Sequence, residues 1–160
     1  MPQYGIQKSL DSWMGPEKTH KDFSTDDVWY EIKAINSGKE SVRISSLEQL
    51  DSDIDGYLVL YSLERMSPSF TGIKLNGLVD NILSKITSHI QKEMFISKLE
   101  LYGFDFSPEY DNYVYMLINT VHYLVSDQFP RLVRTKIPVS INKIQYEIIL
   151  AEIEEHITIF

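Results

Sequence analysis

Hydrophobic and polar positions along the chain change period several times, and each change marks an element. Over Val28–Ala34 they alternate, so Val28, Tyr30, Ile32 and Ala34 share one face of a strand while Trp29, Glu31 and Lys33 share the other. A strand-like piece around Asp22–Phe23 precedes it, and Ser41–Ser45, with Val42 and Ile44 on one side and Arg43 on the other, follows it. Asn36-Ser37-Gly38-Lys39 is the turn between the second and third pieces. Ser45-x-x-Glu48 and Ser46-x-x-Gln49 both have capping-box spacing and predict a short helix through Leu50.

Gly56–Met66 is rich in β-formers and is expected as a central strand. Leu75, Leu78, Val79, Ile82, Leu83, Ile86 and Ile90 then recur at helical spacing, predicting one four-turn helix. A second helix is expected over about Lys92–Leu101, stopping at Gly103. Tyr113–Val125 reads as a long strand, residues 129–140 as an irregular basic stretch, and Ile141–Ile153 as the last strand. At the start, residues 3–14 predict a short helix ended by Gly15-Pro16. These elements describe one α/β domain over 1–160, with a mixed sheet of about five or six strands flanked by helices.

Composition narrows the function classes. The chain has no cysteine, which removes disulfides, thiolate metal sites and a cysteine nucleophile. No apolar run approaches the roughly 20 residues of a membrane span, and the first residues lack a signal-peptide pattern, so a cytoplasmic location is expected. The net charge of −8 counts against a general nucleic-acid binder. The balance is uneven, however, because Gln128–Gln145 holds Arg131, Arg134, Lys136 and Lys143 and no acid. That is compatible with one phosphate-facing surface.

Candidate chemistry centres on the second strand. Glu31 and Lys33 project from one side, and a hairpin would bring Asp22 beside Glu31. Two carboxylates and a lysine at a strand end suit a hard divalent cation and an activated water. Glu31-x-Lys33 alone carries little, since 12 glutamates and 11 lysines in 160 residues make about one such spacing a chance expectation. The bland alternative is an exposed same-face ion pair. Asp51-x-Asp53-x-Asp55-Gly56 copies half of an EF-hand loop, but Ser62 stands where the bidentate Glu belongs. His89, His122 and His156 have no metal-ligand spacing.

Asp22 followed by Glu31-Ile32-Lys33 resembles the PD-(D/E)XK nuclease signature. WMGPEKTHKDF (13–23), WYEIKA (29–34), VRISSLEQLD (42–51) and QFPRL (128–132) resemble, more specifically, one family of PD-(D/E)XK proteins found among restriction-modification and phage-defence genes. The similarity covers almost the whole chain and implies a restriction-endonuclease-like fold. It implies metal-dependent hydrolysis of a DNA phosphodiester, with Asp22, Glu31 and the Ile32 carbonyl holding Mg²⁺ (or Mn²⁺) and Lys33 orienting the water or steadying phosphate charge. It also implies DNA contacts from His20, Lys21, Arg43, Arg131 and Arg134, and as possible partners other subunits of a defence system or a second copy of the chain. An inactive module of the same fold, binding DNA or a protein, is the alternative. Relatives begin with a helix carrying a Gly-Leu-x-Gly-Glu-like motif, and MPQYGIQKSL does not match it. The expectation is therefore the C-terminal portion of a longer member or a shortened member, with Glu17 or Gln7 as candidates to stand in.

Overall fold

The computed structural model describes residues 5–17 and 20–159. Among them are three α-helices, α1 (Ile6–Ser12), α2 (Leu75–Lys85) and α3 (His89–Leu101), and seven strands. The strands are β1 (Phe23–Ser24), β2 (Trp29–Asn36), β3 (Ser41–Ile44), β4 (Gly56–Met66), β5 (Val114–Val125), β6 (Tyr146–Ile149) and β7 (Ile157–Thr158). Residues 3 and 4 of the expected first helix lie outside the described residues.

The main sheet is mixed and runs β1-β2-β4-β5-β7, with β2 and β4 parallel and every other pair antiparallel. This is the α/β mixed sheet expected, with β4 at its centre. Strand β3 leaves that sheet and pairs with β6 as a separate two-stranded ribbon, Arg43 opposite Glu147. The ribbon and a 3₁₀ turn at Leu47–Gln49 occupy the β2–β4 crossover, where a helix is more usual.

The alternation in β2 divides the molecule into two layers. Trp29 and Ile35 face a core that includes Leu58 and Leu60 of β4, Tyr123 and Val125 of β5, and Val42, Ile44 and Ile148 of the ribbon. Ile32 and Ala34 face the helical layer, where Leu10, Val79, Ile86, Phe95 and Phe104 form a second core. Gly56 lies opposite Trp29, and a Cβ there would stand 2.1 Å from the indole ring. Glycine at this register is what lets the tryptophan lie flat on β4.

Three expectations are corrected. The apolar stripe beginning at Leu75 belongs to two helices, because the chain turns at Ile86 and Ser88 caps α3 by accepting from the Gln91 N–H. Ile90 therefore opens the second helix and is exposed. The last strand covers only Tyr146–Ile149, since Leu150–His156 winds into 3₁₀ turns. At the crossover turn the N-cap Ser46 makes no side-chain cap; Gln49 Oε1 instead accepts at 2.7 Å from the N–H of Ser45, one residue before the cap, so the capping box does not form. Gly103 does end α3 in the left-handed region, with φ 91°.

Candidate active site

Strand β1 stops after two residues, so the outer edge of β2 is unpaired beyond Tyr30. Asp22 fills that gap. Its backbone N–H donates to the Tyr30 carbonyl at 3.2 Å, and its Oδ2 accepts from the Ile32 N–H at 2.8 Å. In a strand the N–H and C=O of one residue point to the same side, so the Ile32 carbonyl shares this edge with the Asp22 carboxylate. From the other direction Met14 and Gly15 donate their N–H groups to the Asp22 carbonyl at 2.8 and 3.2 Å, anchoring the segment after α1 to the site.

Glu31 and Lys33 project together from β2, and Lys33 Nζ lies 2.8 Å from Glu31 Oε1. This is not the surface pair of the bland alternative. Glu31 is 3% exposed and the Lys33 side chain 18%. Burial pushes the Glu31 carboxyl up to about 7 against the opposing pull of Lys33, and the nearby Asp22 charge pushes it the same way as burial. The three residues therefore share one electrostatic environment. Asp22 and Ile32 also line a cavity of about 510 Å³ under the helical layer, while Glu31 and Lys33 lie on the opposite face of the strand.

Tyr102 joins the group without a sequence signal. As the C-cap of α3 it lies over Gly15, where an added Cβ would meet its ring at 3.1 Å and Asp22 Oδ1 at 3.3 Å. Burial raises its hydroxyl pKa, and the charges of Asp22 and Glu31 raise it further. Only the position of the helix end over the Trp13–Gly15 segment reveals this contact; the adjacent Gly103 predicts the end and not its direction.

The expected nucleic-acid contacts separate. Lys21 turns inward: its Nζ donates to the carbonyls of Glu48, Gln49 and Asp51 at 2.7, 2.8 and 3.1 Å and sits 3.8 Å over the Trp29 ring. Arg131 does the same, donating to Leu50 and Ser52 carbonyls at 2.7 and 3.2 Å with its side chain 7% exposed. Both hold the crossover turn, which replaces the expected DNA contact, because a turn with few backbone partners of its own needs cationic donors. His20 is exposed, and Arg134 reaches Glu48 at 3.6 Å as well as the Ile141 carbonyl at 2.8 Å. Arg43 is exposed on the ribbon and bonded to Gln145. Neither stand-in for the upstream glutamate enters the site. Glu17 pairs with Lys98 at 3.2 Å, and Gln7 links Asp11 to Gln91 on the surface of α1.

Among the described residues no three His, Cys, Asp or Glu side chains gather around one point. A cation held at this strand edge would draw on Asp22 and the Ile32 carbonyl, with Glu31 from the other face of the strand. Hard oxygen donors in small number fit Mg²⁺, which retains several waters.

No helix among the described residues is long and apolar enough to cross a membrane. Comparison with curated proteins and with solved structures returns no match. Comparison with protein families matches residues 1–151 to the family described as "Putative PD-(D/E)XK family member (DUF4420)". The match spans the Asp22 edge, β2, the ribbon and the helical layer, and the chain belongs to this PD-(D/E)XK family.

Proposed function

We propose that the protein is a metal-dependent DNA endonuclease of a bacterial restriction or phage-defence system. The observation that carries this reading is the buried Glu31–Lys33 pair, 2.8 Å apart, beside an Asp22 carboxylate fixed on the open edge of the same strand. Asp22 and Glu31, with the Ile32 carbonyl, would hold Mg²⁺ or Mn²⁺. When bound, such an ion lowers the pKa of a coordinated water and offsets charge on the phosphate. Lys33 supplies fixed positive charge where negative charge develops, and its position is set in advance by Glu31. Asp22 orients the edge through the Ile32 N–H, leaving its second oxygen toward Gly15.

A second reading has its own support. Glu31 is almost closed to solvent, its partner Lys33 is engaged, and no third acid stands with them among the described residues. Those features favour an inactive module of the same fold that binds DNA or a protein. Incubation with supercoiled plasmid in Mg²⁺ or Mn²⁺ decides between them. Nicking that is lost in both Asp22→Ala and Lys33→Ala supports the nuclease. Salt-sensitive DNA retention without nicking supports the binding module.

A further inference from the structure

We propose that the aromatic cavity beside Asp22 is a nucleobase pocket, which receives a base swung out of the strand whose phosphate lies at Asp22, Glu31 and Lys33. The inference rests on the phosphodiester reading of those three residues and adds what the neighbouring cavity recognises.

The walls of the cavity are near-parallel rings. Trp13 stacks on Tyr102 with centroids 6.3 Å apart at 15° and on Phe23 at 6.5 Å and 18°. Phe104 stacks on Tyr110 at 5.3 Å and 17°. All five rings line the same space of about 510 Å³, ample for a planar base. Flat π faces in two groups suit a flat ligand, because every base stacks on an aromatic side chain irrespective of its identity.

Two further features select a base over an aliphatic chain. The Asp22 carboxylate forms part of the wall, and such an oxygen accepts a hydrogen bond from an exocyclic amino group while repelling a hydrocarbon. Gly15 lets the Tyr102 ring and the Asp22 carboxylate pack close to the backbone beside the cavity, since a Cβ would press within 3.1–3.3 Å of both. Asp22 borders the cavity on one face of β2 while Glu31 and Lys33 stand on the other, so a nucleotide reaching both would cross the strand edge at Asp22. Tyr102 lines the cavity while 60% exposed, so its ring is reachable from solvent.

The chain's two tryptophans make the test specific. Trp29 is 1% exposed with its indole N–H bound to the Ile54 carbonyl at 2.9 Å, so a change in emission reports Trp13. A short single-stranded DNA carrying one 2-aminopurine is titrated into the full chain in Mg²⁺, in the cold. The expected result is quenching of both 2-aminopurine and Trp13, with affinity lowered about 5- to 100-fold in Tyr102→Ala and retained in Tyr102→Phe. Gly15→Val should weaken binding similarly while circular dichroism stays unchanged. Absence of quenching, or quenching indifferent to Tyr102→Ala, overturns the pocket. Plasmid nicking without base quenching would remove the pocket and leave the nuclease reading standing. Quenching without nicking would keep the pocket and remove the nuclease.

Discussion

Asp22 and Ile32 are joined across the gap where β1 ends, the Ile32 N–H donating to Asp22 Oδ2 at 2.8 Å. One carboxylate thereby completes a sheet edge and turns its second oxygen toward Gly15. Asp22→Asn keeps an acceptor for the N–H, so the urea midpoint should move by no more than about 1 kcal/mol equivalent. Cleavage, which needs the charge, should fall by roughly 10²–10³-fold. Asp22→Leu should also lose about 1–3 kcal/mol of stability, because the strand-edge donor is then left without its partner. Urea titration beside nicking rates separates the two effects.

Glu31 links stability to pH. Its folded pKa, about 7, lies above the ordinary 4.5 because burial outweighs the Lys33 pairing. The folded state therefore holds a proton through a window in which the unfolded chain has released it, and stability falls as pH rises from about 4.5 to about 7. Glu31→Gln should remove that slope and make the protein more stable at pH 8, on the order of 3 kcal/mol. Thermal melts across pH measure it. A Glu31→Gln variant that keeps the wild-type slope would place the titration elsewhere.

Lys21 and Arg131 each give their charge to carbonyls of the turn around Leu47–Ser52. Lys21→Ala and Arg131→Ala should each cost about 2–3 kcal/mol, since the carbonyls lose charge-assisted donors. Arg43→Ala, on the exposed ribbon, should cost less than about 0.5 kcal/mol. Urea midpoints at unchanged m-value are the readout.

These residues also show what could be read from the chain alone. The period-two pattern of Val28–Ala34 places Glu31 with Lys33, and the β-rich run Gly56–Met66 gives the central strand, because both signals are local. Basic type alone says nothing of direction, and the carbonyls that turn Lys21 and Arg131 inward come from a segment distant in sequence. The stripe from Leu75 to Ile90 misleads for a similar reason. Apolar spacing survives a turn at Ile86–Ser88, and only the Ser88 cap marks the new helix. Tyr102 reaches Gly15 and Asp22 only through the direction of α3, which no local signal carries.

Gly56 and Trp29 test the packing beneath the site. A methyl group at Gly56 would enter the indole ring, so Gly56→Ala should destabilise by about 3 kcal/mol and shift the near-UV circular dichroism of Trp29. Gly77→Ala, with open space around its Cβ on α2, should instead be neutral or slightly stabilising.

Calorimetric titration of Mn²⁺ into the wild type, Asp22→Asn and Glu31→Gln at pH 8 probes the metal-holding edge most directly. The account predicts one ion bound by the wild type, with affinity lowered at least about tenfold in each variant. Binding that is absent from the wild type, or equal in all three proteins, would contradict it.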